Sequence, residues 1–236
     1  VKTQTHEYDD GNESCEGYLV THEDGKVRPG VIISHAWAGL GDFEQEKAKA
    51  VAELGYNVLA IDMYGKGIRG TSIAENQKLM GRFINDRALL RQRITCGLNT
   101  LKALDIVDSN RTAAMGYCFG GLCVLDLARS GAEVTGVISI HGIFTPPQDL
   151  PNELIKAKVL ALHGYDDPMA TPENLIAFGT EMTEAGVDWQ VHAYGLTYHA
   201  FTNPEANDAG MGTVFNPKAN KRSWRALVNF LSEIFE

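Results

Sequence analysis

One short stretch, Gly116-Tyr117-Cys118-Phe119-Gly120-Gly121, constrains the fold of this chain more than any other. It follows an apolar run, Thr112-Ala113-Ala114-Met115, and opens the apolar segment Leu122 to Ala128. The pattern predicts a strand, a sharp turn and a helix, with a nucleophile-type residue at the apex. Glycines two before and two after that residue match the nucleophile elbow, G-x-nucleophile-x-G, usually built on Ser. They are needed because strand and helix pass too close there for side chains. Here the apex residue is Cys118.

The rest of the chain reads as the sheet such an elbow requires. Residues 30 to 35 (Gly-Val-Ile-Ile-Ser-His) and 57 to 62 (Asn-Val-Leu-Ala-Ile-Asp) are strands of the kind buried on both faces. Between them Phe43, Lys47, Val51 and Leu54 recur at helical spacing, and Gly55 ends that helix. Strand, helix, strand in this order implies a right-handed crossover into a parallel sheet. A capping box at Ser72 to Glu75 starts another helix, and Leu90, Ile94, Leu98 and Leu101 mark a further helical stripe. Strands are also expected at 134 to 140, 158 to 163 and 188 to 194. Thr171-Pro172 opens a helix, and Trp224 to Ile234 form a final amphipathic one. Residues 16 to 21 and 27 to 34 flank a turn at Asp24-Gly25, which suggests an N-terminal hairpin. The expectation is one α/β domain over residues 1–236, with a mostly parallel sheet flanked by helices.

Composition narrows the function classes. The chain has 236 residues and a formal net charge of −9, which argues against nucleic-acid or anionic-membrane partners. No apolar run approaches the roughly 18 residues of a membrane span. Its four cysteines form no CxxC and are too sparse for a disulfide framework, so a cytoplasmic location with reduced thiols is expected. No HExxH and no Cys/His cluster at ligand spacing is present, so neither a metal nor another cofactor is expected.

In parallel sheets, sites gather beyond the carboxyl ends of the strands. After the strand ending at His163 comes Gly164-Tyr165-Asp166-Asp167-Pro168, and after the last strand comes Gly195-Leu196-Thr197-Tyr198-His199. Cys118, Asp167 and His199 thus follow the chain order of the α/β-hydrolase triad. A thiol with a reference pKa of about 8.5 needs a His to take its proton, and that His needs an acid to fix its tautomer. Backbone N–H groups of Phe119 and Trp37 would bind the oxyanion. Asp166 is expected to shape its turn, and His35, His141 and His163 to pack or hydrogen-bond behind the site. Tyr64, Ile68 and Phe144 are candidate apolar walls, with core packing the competing role for each. A thiol carrier or redox sensor using Cys118 stays open as an alternative, and a metal-dependent esterase as a weaker one.

These words, together with Asp62-Met63-Tyr64-Gly65-Lys66-Gly67 and His199-Ala200-Phe201, resemble the dienelactone hydrolase family. The resemblance covers roughly residues 15 to 235. It implies a metal-free Cys-His-Asp hydrolase of lactones and activated esters, extending to aryl phosphotriesters, and from family habit a homodimer. Two departures matter. Ala36 replaces the Glu that dienelactone-cleaving members carry after the loop His. Lys66 and Asn203 stand where those members have two arginines gripping a substrate carboxylate. A single Lys offers a point charge and no bidentate fork, so a neutral or weakly anionic ester is expected over dienelactone.

Overall fold

In the computed structural model, which describes residues 1–148 and 150–236, eight strands form one sheet in the order β1-β2-β4-β3-β5-β6-β7-β8. These are β1 (Lys2–Asp9), β2 (Ser14–Thr21), β3 (Arg28–Ser34), β4 (Asn57–Ile61), β5 (Val107–Tyr117), β6 (Gly136–Ile140), β7 (Lys158–Gly164) and β8 (Trp189–Tyr194). From β4 to β8 all neighbours pair in parallel, while β2 runs antiparallel to both β1 and β4. The helices are α1 (Asp42–Ala52), α2 (Ile73–Ile84), α3 (Arg87–Lys102), α4 (Phe119–Arg129), α5 (Pro172–Glu184) and α6 (Pro217–Phe235). A two-stranded ribbon, β9 (Asn207–Asp208) with β10 (Thr213–Val214), lies after the last sheet strand.

The N-terminal hairpin is present, one strand earlier than the Asp24-Gly25 turn suggested. It joins β1 to β2, and its turn is closed by Asp10, whose side chain accepts from the Asn12 and Glu13 N–H groups. Residues 28–34 instead sit at the sheet centre between β4 and β5. The reason is burial: Val31, Ile32 and Ile33 are fully buried and alternate between the two faces. A strand apolar on both sides loses most by lying at an edge.

Each sheet face has its own core. One packs β-strand side chains against Leu90 and Ile94 of α3, Leu122 and Val124 of α4 and Phe178 of α5. The other packs them against Ala48 and Val51 of α1 and Leu227 and Phe230 of α6. Buried arginines tie the layers together. Arg93 of α3 pairs with Asp10 at 2.6 Å and Glu13 at 2.8 Å, holding the hairpin turn, while Arg129 of α4 pairs with Asp126 and Glu181. Removing one member of such a pair would strand a buried charge.

Glycine positions separate space from propensity. A Cβ on Gly120 would lie 2.1 Å from the Ser34 carbonyl oxygen, whereas one on Gly81 in α2 meets nothing within 4 Å. Gly120→Ala is therefore expected to lose about 3 kcal/mol or more, or to fail to fold. Gly81→Ala should gain up to about 1 kcal/mol from helix propensity. Urea denaturation of both variants checks the contrast.

Candidate active site

β5 delivers its last residue, Tyr117, into a turn whose apex is Cys118 at φ 55°, ψ −114°, and α4 starts at the next residue. Few residues other than glycine adopt such a conformation, and here the surroundings impose it. A Cβ at Gly116 would sit 2.1 Å from the Gly120 oxygen, and one at Gly121 would sit 2.7 Å from Gly142 Cα. The Cys118 N–H donates to the Ile140 carbonyl at 3.0 Å and to His141 Nδ1 at 3.1 Å. The thiol thus stands half-buried at the N-terminus of α4, where the helix dipole favours negative charge.

Asp167 and His199 arrive from the loops after β7 and β8. Asp166 shapes the turn, as expected: its N–H donates to the Thr197 carbonyl and its carboxylate accepts from the Thr197 N–H, tying the two loops together. Asp167 is buried, with one carboxylate oxygen accepting from the Met169 N–H at 2.8 Å. The other accepts from His199 Nδ1 at 2.6 Å. The buried Nε2 of His199 has no hydrogen-bond partner within ordinary distance. Its neighbour is the Cys118 thiol. Burial works against a charge on this ring, yet the Cys118 charge and hydrogen bonds to Asp167 and Cys118 raise its pKa to about 10. Such an arrangement can take a proton from sulfur and hold it.

The backbone around His199 was not foreseen. Its N–H donates to the Gly212 carbonyl at 2.9 Å, and its carbonyl accepts from Val214 at 3.1 Å. The β9–β10 ribbon therefore holds the histidine, yet strands of two residues leave no periodicity to read in a sequence.

A cavity of about 250 Å³ opens over Cys118, with Trp37, Phe43, Tyr117, His141 and Asn203 in its wall. Asn203 thus shares the cavity of Cys118. Tyr64 is buried one layer below, stacked on Phe119 and donating from its hydroxyl to the Trp37 carbonyl at 2.9 Å. Ile68 is exposed, and neither it nor Lys66 lines the cavity; the Lys66 ammonium pairs with Glu7 at 2.6 Å. Phe144 lines a separate cavity of about 350 Å³, beside Phe178 and Pro146. The sequence reading also missed Glu44, a buried carboxylate in the wall of the Cys118 cavity. Its clue was modest: a Glu three residues after Gly41, the position of a capping partner.

The other strand-end histidines are neutral supports. His35 Nδ1 donates to the Ala36 carbonyl at 2.7 Å while Nε2 accepts from the Met63 N–H, and burial pushes its pKa down to about 4. His141 accepts from Cys118 at Nδ1 and donates from Nε2 to Thr202 Oγ1 at 2.8 Å; burial first, then the nearby His199 charge, keeps it neutral. His163 packs against Phe144 and is likewise pushed down by burial.

With this geometry in place, the comparisons fix the class. The model of the dienelactone hydrolase family matches residues 15–235, and the chain belongs to that family of α/β hydrolases acting on ester bonds. It is similar over its whole length to two solved structures. One is m3DLH (36% identical, TM-score 0.94, covering 100% of this chain and 99% of that one). The other is the dienelactone hydrolase-like promiscuous phosphotriesterase P91 from metagenomic libraries (35% identical, TM-score 0.91, the same coverage). An uncharacterised protein of Caenorhabditis elegans is 38% identical over 149 residues, covering 62% of this chain and 94% of that one. Among the described residues no helix is long and apolar enough to cross a membrane.

The two titrations differ in sign. His199, raised to about 10, stabilises the fold fully below about 6.5, the pKa of a free ring, and ceases to do so as pH rises through about 10. His35, lowered to about 4, leaves the unfolded chain binding more protons between about 6.5 and 4. Stability should therefore fall with pH across that window, by on the order of 3 kcal/mol from His35. Ring NMR titration should find His199 charged at neutral pH while His35 and His141 stay neutral, and Cys118→Ala should lower the His199 pKa while leaving His35 unchanged.

Proposed function

We propose that this chain hydrolyses neutral carboxylic esters and lactones through a covalent Cys118 intermediate, without a metal, and that aryl phosphotriesters enter the same site. The observation that carries this reading is the histidine held between an acid and the elbow thiol: Asp167 at 2.6 Å on one side, Cys118 on the other.

His199 Nε2 takes the thiol proton, and the thiolate attacks the carbonyl carbon. The displaced electron pair settles on the carbonyl oxygen, stabilised by the N–H groups of Phe119 and Trp37. The position of Phe119 at the first turn of α4 supports the first donor, since such N–H groups have no partner within the helix. Support for the second comes from the Ala36 carbonyl, held at 2.7 Å by His35. In a planar trans peptide the Trp37 N–H points opposite to that carbonyl. One such donor is worth about 2.7–4 kcal/mol in the transition state. Collapse expels the alkoxide, which His199 protonates, leaving a thioester. Water, deprotonated by His199, then attacks that thioester, and the returning proton restores the thiol. A phosphotriester follows the same route through a phosphorothiolate, and the similarity to P91 supports it.

Charge in the cavity supports neutral substrates. Its wall carries the carboxylates of Asp42 and Glu44 and neither Lys nor Arg. Lys66 is tied to Glu7, and Asn203 is uncharged, so an anionic substrate meets repulsion without a counter-charge. Among the described residues no three His, Cys, Asp or Glu are grouped to hold an ion.

Cys118→Ala or alkylation with iodoacetamide should abolish p-nitrophenyl acetate hydrolysis, and EDTA should leave it unchanged. Equal rates in wild type and Cys118→Ala would instead favour a redox or carrier thiol. Asp167→Asn should lower kcat by on the order of 10⁴ through loss of the correct histidine tautomer. In matched aryl esters, adding a carboxylate to the acyl group should lower kcat/KM by at least about tenfold.

A further inference from the structure

We propose that Glu44 is a positioning residue for ester cleavage: its carboxylate spans the segment Ala36 to Gly41 and holds the Trp37 N–H toward the Cys118 cavity. The inference rests on the reading of Cys118 given above. One carboxylate oxygen accepts from the Gly41 N–H at 3.0 Å, the ordinary bond of a residue capping its own helix. The other reaches outside the helix to the Ala36 N–H at 3.1 Å, eight residues earlier. A cap needs no such second bond. Glu44 is also only 3% exposed and forms part of the cavity wall.

The bonds made by the rest of the segment explain what this bridge accomplishes. The Ala36 carbonyl is taken by His35, the Trp37 carbonyl by the Tyr64 hydroxyl at 2.9 Å, and the Ala38 carbonyl by the Gly70 N–H at 2.9 Å. Arg69 Nε donates to the Leu40 carbonyl. These partners lie just after β3 or in the loop after β4, and they hold the segment by its carbonyls. The Gly39 N–H turns back to the Ala36 carbonyl at 3.2 Å within the segment, while Glu44 grips it from outside by the N–H groups at both ends. Loss of the Ala36 grip lets the His35–Ala36 peptide shift, and with it the Ala36 Cα that sets the direction of the adjoining Ala36–Trp37 peptide; an oxyanion donor that must reorganise during reaction stabilises the charge less.

Burial raises the pKa of Glu44, opposed by the Ala36 and Gly41 N–H groups and by Arg69. A carboxylate whose two oxygens each accept from a backbone N–H is not replaced by an amide, because one of the two N–H groups would then face an NH2 group.

The test separates oxyanion stabilisation from thiolate formation. Iodoacetamide alkylates Cys118 by displacement at a saturated carbon and develops no oxyanion; acylation by p-nitrophenyl acetate does. Glu44→Gln should slow the acylation burst by about 10- to 100-fold, with KM and the alkylation rate each within about threefold of wild type. Glu44→Asp, which keeps the charge and the cap but cannot reach both N–H groups, should show the same split at smaller size. Acylation and alkylation falling together in both variants would mean a general structural role, and unchanged acylation would mean no role; either result overturns the proposal. Alkylation of the wild-type protein is measured first. If that leaves hydrolysis intact, the Cys118 reading fails by itself, whatever the Glu44 variants do.

Discussion

Beneath Cys118, four backbone segments meet, with only the small Ser139 hydroxyl beside the two glycines Gly121 and Gly142. The end of β3 at Ser34 touches Gly120, the end of β5 at Gly116 touches the same peptide, and Gly142 after β6 touches Gly121. Cross-layer contact of this kind cannot be had with ordinary residues, and it fixes three things together. It presses the start of α4 against the sheet, forces Cys118 to φ 55°, and brings the loop after β3 alongside the thiol. Strain at the apex persists because neighbours on all sides determine it. A thiol there has the α4 N-terminus below it, the loop carrying Trp37 on one flank and His199 on the other.

The same contact explains how much was legible in the sequence. Glycines at 116, 120 and 121 act through sterics alone, and sterics are written in residue identity, so the elbow and the helix after it could be read directly. Strands β3, β4, β6 and β7 and the second half of β5 were legible because a segment buried on both faces is mostly apolar, whereas residues 108–111 of β5 are polar and largely exposed. β1 was not: in Lys2–Asp9 every side chain is exposed or half-exposed, no alternation marks a face, and the strand is held by pairing with β2 and by Arg93 gripping its turn. The hairpin was therefore placed one strand too late. In the site, Cys118, Asp167 and His199 could be placed at one end of the sheet because each follows a legible strand. What lies around them depends on hydrogen bonds between distant segments, as with Tyr64 on the Trp37 carbonyl, and spacing along the chain does not encode those.

Substrate recognition shows the same division. Position 66 could be matched to the family pattern, yet whether a lysine there is free depends on Glu7 of a strand that left no signal. With the ammonium paired outside and Asp42 and Glu44 in the wall, the cavity offers none of the positive charge that two arginines would supply. The hydrolytic parts and the recognition parts of this fold are thus separable. The former sit on strand ends whose burial resists change; the latter sit on loops whose charges can be exchanged at little cost to the core.

Four histidines stand at the ends of neighbouring parallel strands or just beyond, and burial alone would make all four neutral. His35 and His141 are kept so by donating from one nitrogen and accepting with the other, an arrangement that only an uncharged ring can satisfy. His163 is kept so by its apolar neighbour Phe144. His199 differs because both its nitrogens face groups that gain from its charge, Asp167 at Nδ1 and Cys118 at Nε2. Its ring lies edge-on to His141, with centroids 5.1 Å apart, so a second charge there would cost the first. The neutrality of the supporting histidine is thus a condition for the charge on the working one. The Cys118 N–H contributes to that condition by donating to His141 Nδ1, which keeps that nitrogen free of a proton.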